Sequence, residues 1–358
     1  MDLDTLLAQR LATQHLASTP VGVLDVVRHA VAVQSQDAPL ARWSIGLRSG
    51  RNDDAVRAAI DAGDLLRTHV LRPTWHYVLP EDLRWLLELS RDRIERSMGA
   101  RHRQLGITEH VVERSFAVLA DALAGGRTLT RKQLHPLLPT TAFPAQGQVV
   151  AHLLMLAEVR ALVCSGPLEK GEHTYGLVDD RVPPSPVRPR EELVRDLAAR
   201  FFAGHGPSTP ADLARWAAVT RTEVRKVLPD LDLSCATVEG TEVWWDPRAV
   251  PEQRRDDDPR AFLLSTFDEA CLTYLPPSYP RLAGHPWGDR PPTYAQVGGG
   301  PVICDLREVG VWRRRTGRTT TRVELDLSPA VTGDQHAAIR TAAERLAAFE
   351  GRGLELAG

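Results

Sequence analysis

A pattern of helices followed by a hairpin recurs along this chain and restricts its fold more than any other feature. In the first hundred residues, amphipathic spacing predicts helices at 3–16, 21–33 and 53–62. Runs rich in β-formers then predict paired strands at 65–71 and 74–79. Three helices followed by a hairpin is the order of a winged helix-turn-helix unit.

The same order returns twice. Helices are predicted at 109–123, 131–138 and 148–158, with a hairpin at 161–164 and 173–178. After a proline-rich linker at 181–189, helices at 191–203, 210–217 and 221–228 precede strands at 231–238 and 242–245. A repeat of about 80 residues, with one such unit in each, indicates three tandem units rather than one large core.

The remainder of the chain has a different character. From Arg254 onward, proline, glycine and short apolar runs predict strands at 261–267, 302–305, 309–315 and 319–326, a turn at 316–318 and a closing helix at 334–350. Residues 276–300 contain too many prolines and glycines for regular structure. The sequence therefore predicts an α+β chain with three tandem winged helix-turn-helix units at 1–105, 106–182 and 190–253, and a fourth domain at 254–358.

Composition excludes several classes of protein. With 358 residues, 43% hydrophobic and 25% charged, the chain is typical of a globular protein. Because no apolar run reaches the roughly 18 residues of a membrane span and no leader pattern opens the chain, we expect a cytoplasmic protein without membrane contact. The four cysteines lie far apart and the histidines show no ligand spacing, so neither a metal nor a nucleotide cofactor is expected.

Charge gives a local rather than a global indication of a nucleic-acid partner. The net charge is −2, but nearly all positive charge is arginine, concentrated at 91–103 and 307–322. Such clusters suit a phosphate partner, although a solvated helix face has the same composition.

Two glutamines, Gln34 and Gln36, close an apolar run just before Pro39, which we expect to break the helix. Amides at i and i+2 diverge on a helix but point the same way in an extended chain. Each amide has a donor and an acceptor, so the pair is suited to orient a water or a sugar. The alternative is a pair of solvated residues at a helix end.

A second polar set follows at Arg72, Thr74 and His76, alternate positions that share one face of a predicted strand. This face belongs either to a site or to a solvent-facing wing. His69 lies on the opposite face, where we expect it to pack.

A third set is the arginine-rich turn formed by Arg313, Arg314, Arg315 and Arg318. A basic hairpin is suited to contact the DNA backbone, while scattered charge on a sheet surface is the alternative interpretation.

Taken in order, these motifs resemble the winged-helix DNA glycosylases of the AlkZ and YcaQ type. The resemblance rests on the Gln-x-Gln of 34–36, the Arg-x-Thr-x-His of 72–76 and the stretches 201–216, 265–269 and 310–314, so it spans nearly the whole chain. It implies that residues 254–358 form a small β-barrel. It also implies an enzyme that acts on double-stranded DNA with alkylated bases.

The resemblance assigns roles to these residues. Gln34 and Gln36 would position the water that attacks the sugar, with Thr74 assisting the water and His76 contacting the sugar or phosphate. Arg72, Arg313, Arg314, Arg315 and Arg318 would bind DNA. A role for Asp37 stays open.

The resulting prediction is a monofunctional DNA glycosylase that removes bulky N7-guanine or N3-adenine adducts, with interstrand crosslinks as a further candidate substrate. We expect it to need no metal or other cofactor and to be a monomeric, nucleoid-associated bacterial enzyme. The alternatives are a winged-helix regulator without catalysis and a scaffold for protein contacts. A regulator should concentrate arginine on its recognition helix, yet residues 53–62 contain only Arg57.

Overall fold

The computed structural model describes residues 1–18, 20–138, 146–217, 219–249, 260–275, 279–286 and 299–357. Much of the predicted irregular segment at 276–300 therefore lies outside the described residues.

The first part of the chain forms helices around a three-stranded antiparallel sheet of order β1-β3-β2. Its elements are α1 (Leu3–Thr13), α2 (Val23–Ala30), β1 (Val33–Gln34), α3 (Ala38–Ser49), α4 (Asp53–Ala62), β2 (Leu66–His69), β3 (Trp75–Val78) and α5 (Pro80–Gln104).

Two predictions for this part are wrong. The helix α2 ends at Ala30, because Val31 adopts a left-handed φ of 66° and turns the chain into β1. Pro39 does not break a helix but opens α3, where a proline in the first turn lacks only an N–H that has no helical partner. The three helices before the hairpin are thus α2, α3 and α4. The long helix α5 was not predicted.

The middle of the chain repeats this order of elements. One segment contains α6 (Glu109–Leu123), β4 (Leu129–Thr130), α7 (Arg131–Leu134), α8 (Gln146–Val159), β5 (Val163–Ser165), β6 (Thr174–Leu177) and the short α9 (Val178–Arg181), with sheet order β4-β6-β5. The next contains α10 (Arg190–His205), α11 (Pro210–Trp216), α12 (Arg221–Val227), β7 (Ser234–Val238) and β8 (Thr241–Trp245). A single bridge from Ser208 to Trp244 takes the place of the first strand there.

The last part of the chain is a curled five-stranded sheet of order β13-β12-β11-β10-β9. Its elements are β9 (Ala261–Leu263), α13 (Glu269–Leu272), β10 (Gly299–Cys304), β11 (Arg307–Thr316), β12 (Thr320–Leu327), α14 (Gly333–Phe349) and β13 (Gly353–Ala357). The predicted barrel is realised as half a barrel, with β13 and β9 at its edges. The parallel strand β13 was not predicted.

A shared core joins the two ends of the chain. Trp43 and Ile60 of the first part pack in one cluster with Trp312 of β11 and Ile339 of α14. A second cluster joins the face of β2 and β3 to α5 and to the helices α10, α11 and α12. The small sheet β1-β3-β2 is therefore enclosed by distant segments, which bring their side chains to its polar residues.

Candidate active site

The first glutamine of the Gln-x-Gln motif lies in a buried row of polar side chains. Gln34 of β1 lies opposite His76 of β3, and His76 lies opposite Thr68 of β2. Residues directly opposite each other in antiparallel strands project from the same face. All three side chains are buried, and within the described part of the chain Gln34 Oε1, His76 Nε2 and Thr68 Oγ1 have no hydrogen-bond partner. We call Gln34, His76 and Thr68 the polar row.

The backbone of the motif is held on three sides. Gln34 N donates to Glu269 Oε1 at 2.9 Å, and Ser35 N donates to the carbonyl of Trp75 at 2.7 Å. The guanidinium of Arg67 donates to the Ser35 carbonyl from Nε at 3.2 Å and from a terminal nitrogen at 2.9 Å. Its carbon lies 4.3 Å from the centre of the Trp75 ring. These bonds fix the position from which Gln34 and Gln36 project.

Gln36 differs from Gln34 in its exposure. Its side chain is exposed, whereas only 6% of Gln34 is. The next residue, Asp37, accepts a hydrogen bond from Leu40 N at 3.1 Å and thereby caps α3. The motif therefore runs from the buried face of the sheet to the surface, and Asp37 has a structural role.

The ring of His76 is neutral and presents an acceptor. Nδ1 lies 3.0 Å from the carbonyl oxygen of Thr74, which can only accept, so the proton sits on Nδ1 and Nε2 carries a lone pair. Burial, and next the charge of Arg72, place the pKa of His76 well below its ordinary value. At neutral pH the unpartnered Nε2 is thus available to accept a hydrogen bond.

Arg72 and Thr74 were predicted to share a strand face with His76, but they do not. They lie in the bend before β3, where Arg72 N donates to Val70 O and Thr74 N to Arg72 O, both at 2.7 Å. Arg72 nevertheless lies close enough for its charge to act on His76 and on Glu269. Burial lowers the pKa of Arg72, and its Nε and one terminal nitrogen have no partner in the described residues, nor has Thr74 Oγ1.

The opposite face of this hairpin contacts the second segment. His69 is buried, as expected, but it also hydrogen-bonds through Nδ1 to Glu158 of α8. Its ring lies 4.2 Å from that of Trp75. His69 therefore joins two parts of the fold and stands outside the polar row.

Two residues at the site were missed by sequence reasoning. Glu269 is 3% exposed and receives the Gln34 N–H on one oxygen and the indole N–H of Trp216, at 2.7 Å, on the other. Arg67 supports the Ser35 carbonyl. Glu269 lies within 265–269, one of the stretches that carry the family resemblance, and this was the available signal for it, whereas Arg67 lies outside the stretches named for the resemblance.

The arginine-rich hairpin of β11 and β12 presents two different faces. Arg313, Arg315 and Arg318 are exposed, and the Arg315 side chain is 81% exposed. Arg314 alternates to the face of the buried Trp312 and forms an ion pair with Glu350, which follows α14. Burial lowers the pKa of Arg314, whereas Asp37, which follows the Gln-x-Gln motif, is near enough for its charge to raise it.

The helix that a regulator would insert into DNA is acidic. The helix α4 carries Asp53, Asp54 and Asp61, and its Arg57 donates to Asp53 at 2.7 Å. Such a helix is poorly suited to the major groove of DNA.

Among the described residues, no group of three or more histidine, cysteine, aspartate or glutamate side chains is arranged to hold a metal ion. In the same residues, no helix combines the length and the apolar character that crossing a bilayer requires.

Comparison with known proteins identifies the family. A family model described as DNA glycosylase AlkZ-like matches residues 27–349. Among solved structures, DNA glycosylase AlkZ of Streptomyces sahachiroi has the same fold, with a TM-score of 0.70, 20% sequence identity and 99% of each chain covered. No curated protein sequence is significantly similar. Because the family model covers most of the chain, including the polar row and the basic hairpin, this protein belongs to the AlkZ-like DNA glycosylase family and is a DNA glycosylase.

Proposed function

We propose that this glycosylase is monofunctional and hydrolyses the N-glycosidic bond of alkylated purines in double-stranded DNA, using a water held by Gln34 and Gln36. The observation that carries the proposal is the buried Gln34 Oε1, which lacks a partner within the described residues. A buried acceptor without a partner costs about 1–3 kcal/mol. We infer that Gln34 Oε1 accepts a hydrogen bond from a water or another group that arrives with the substrate.

The chemistry of an alkylated purine suits this site. N7-alkylguanine and N3-alkyladenine carry a positive charge and leave as neutral bases, so the C1′–N bond breaks with its electron pair moving to the base. The site then has to place water behind C1′ and stabilise an oxocarbenium-like sugar. Neutral acceptors suffice to orient that water, and Gln34 Oε1 and His76 Nε2 project from neighbouring positions of the sheet.

The motif runs from the buried Gln34 to the exposed Gln36, which supports an approach of the substrate from the Gln36 side. Gln36 is exposed, and Arg314 of the basic hairpin is near enough to Asp37 for that charge to act on it. We propose that Arg313, Arg315 and Arg318 contact the DNA backbone and that Arg72 meets a phosphate near the polar row. Arg314 contributes less, because Glu350 already neutralises it.

We further interpret the three repeats of helices, a short strand and a hairpin as three winged helix-turn-helix units within 1–105, 106–182 and 190–253, and 254–358 as the fourth domain. The strand orders β1-β3-β2 and β4-β6-β5 support this assignment. The protein would act on DNA as a monomer.

A base-release assay tests the proposal. Duplexes carrying N7-methylguanine, a bulky N7-guanine adduct or N3-methyladenine are incubated with enzyme, and free base and strand integrity are measured. We expect release of alkylated base with intact strands, in EDTA as well as without it, and no adduct trapped by borohydride. Release of none of these bases, strand cleavage or a trapped adduct would contradict the proposal.

A further inference from the structure

Glu269 is a buried carboxylate for which the proposed reaction has no role so far. It opens the short helix α13, and its two oxygens receive the N–H of Gln34 and the indole N–H of Trp216. A carboxylate accepts on both oxygens, whereas a glutamine at this position would turn its NH2 toward one of the two N–H donors. Both donors are neutral groups, so they leave the negative charge of Glu269 without a matching positive charge.

The preceding residue, Asp268, shows how a carboxylate with a purely structural role is neutralised in this part of the fold. Asp268 forms a two-pronged pair with Arg48, at 2.9 Å and 2.7 Å, and this pair holds the pKa of Asp268 below its ordinary value. For Glu269, burial raises the pKa, and the charge of Arg72 only partly opposes this effect. Within the described residues, no arginine or lysine lies at ion-pair distance from Glu269; the nearest basic atom is His205 Nε2, at 3.9 Å.

Burying a carboxylate without a matched cation costs free energy, and such groups concentrate at functional sites. The position of this charge is informative. It lies directly behind the backbone of Gln34, and Arg72 lies near both Glu269 and His76. In the proposed reaction, positive charge develops on the sugar, and the neutral amides of Gln34 and Gln36 carry no charge to oppose it.

We propose that Glu269 is a positioning residue of the glycosylase site, which fixes Gln34 through its backbone N–H and supplies the negative charge that favours the oxocarbenium-like transition state. The inference rests on the proposed function. It predicts that excision needs the ionised form of Glu269 and therefore slows as the pH falls.

The other titratable groups that face Glu269 are Asp268, whose pKa is lowered, and three histidines whose pKa values burial lowers. A cavity of about 10 Å³ beside Glu269, room for about one water, is lined also by histidines and by Arg48. Burial lowers the pKa of His205 to about 3 and that of His15 to about 4, and it also lowers the pKa of His29. The charged or titratable groups that face Glu269 are thus Arg72, Arg48, Asp268, His205, His15 and His29.

The test compares wild type with Glu269→Gln in single-turnover release of N7-methylguanine at saturating enzyme between pH 4 and pH 8, with spontaneous loss subtracted. We expect Glu269→Gln to slow excision at pH 8 by at least about 10-fold, to leave DNA affinity within about twofold of wild type and to remain folded although one of the two hydrogen bonds, to Gln34 N or to Trp216 Nε1, is lost. The wild-type rate should rise with pH, and the variant rate should stay flat. Glu242→Gln, which removes an exposed carboxylate of β8, serves as the matched control.

Each outcome decides the matter. Excision by Glu269→Gln at the wild-type rate, or equal pH profiles for both proteins, overturns the inference. If the variant does not fold, the wild-type profile alone decides. Because the pKa of Glu269 lies above its ordinary value, which is about 4.3, a profile that stays flat down to pH 4 excludes a need for the carboxylate. Gln34→Ala is measured in parallel. Full activity there would remove the proposed site itself, whereas an inactive Gln34→Ala with a fully active Glu269→Gln would remove only the role of Glu269.

Discussion

The polar row and the basic hairpin both concentrate polar side chains, but their surroundings differ. Gln34 and His76 are buried and have atoms without partners in the described residues. Arg313 and Arg315 are exposed and remain well solvated. A buried unpartnered acceptor is costly and is available only for a group of fixed geometry. An exposed arginine costs little and attracts any phosphate. Under the proposed function, the polar row carries out the hydrolysis and the basic hairpin provides affinity for DNA.

The largest expected effect concerns the two glutamines. Gln34→Ala and Gln36→Ala should each slow single-turnover excision by about 100-fold or more, because an amide that positions water acts mainly in the transition state. DNA affinity should change little. Rate and affinity are measured on the same N7-methylguanine duplex, and an equal loss of both would indicate a structural role instead.

The burial of neutral histidines predicts how stability depends on pH. The pKa of His76 lies well below 6.5 in the folded state, and that of His205 is lowered to about 3. Below pH 6.5 the unfolded chain binds protons that the folded protein does not, so stability falls as the pH falls. At pH 5.5 these two residues together should lower the free energy of unfolding by about 3 kcal/mol.

Urea unfolding at pH 7.5 and pH 5.5 measures this change. A His205→Phe variant should lose about 1.4 kcal/mol of the measured change, whereas replacement of the exposed His336 should preserve it. A stability that is the same at both pH values would show that the two rings are not held neutral.

Loss of the hydrogen bonds from Arg67 to the motif backbone should slow excision less than loss of either glutamine side chain. Arg67→Met keeps the apolar contact with Trp75 but removes the donors to the Ser35 carbonyl. We expect excision to slow by about 10-fold, because a displaced Gln34 no longer holds water in line. Excision kinetics and thermal unfolding are compared with those of Arg57→Met, a change on α4 away from the row. Wild-type kinetics in Arg67→Met would show that this clamp is dispensable.

The smallest effects on excision are expected in the hairpin. Arg313→Ala/Arg315→Ala should weaken binding to damaged and undamaged duplex alike and lower the slope of log affinity against log salt by about 2, one for each lost phosphate contact. Arg314→Ala is the matched control. It should leave the slope unchanged but lower stability by about 1–3 kcal/mol, because the buried side chain of Glu350 loses the closer of its two arginines and keeps Arg352 and two threonine hydroxyls. Salt titrations that are parallel for all three proteins would exclude the hairpin from DNA contact.

The order of elements was largely predictable from the sequence, because amphipathic spacing and turn residues act locally. Helices such as α6 and α14 and the hairpin of β11 and β12 fall close to their predicted bounds. The helix α3 was missed, since Pro39 was taken as a break although a proline also suits the first turn of a helix. Strand β13 was missed because it pairs in parallel with a strand that precedes α14.

The site was predictable only in part, because its support comes from distant segments. Gln34 and His76 were recognised by motif, but nothing local indicates that they face each other across a sheet. Glu269 lies 235 positions from Gln34 along the chain. The inward position of Arg314 was open to prediction, since it alternates with Arg313 and Arg315 and shares the face of Trp312. The prediction treated the four arginines as one basic patch and so ignored the alternation of side chains along a strand.

One measurement tests the division between the two regions most directly: single-turnover release of N7-methylguanine at saturating enzyme by Gln34→Ala and by Arg313→Ala/Arg315→Ala. With binding saturated, the hairpin variant should excise within about threefold of wild type, whereas Gln34→Ala should stay slower by about 100-fold or more. Excision by Gln34→Ala at the wild-type rate, or a hairpin variant equally slow at saturation, would contradict the assignment of chemistry to the polar row.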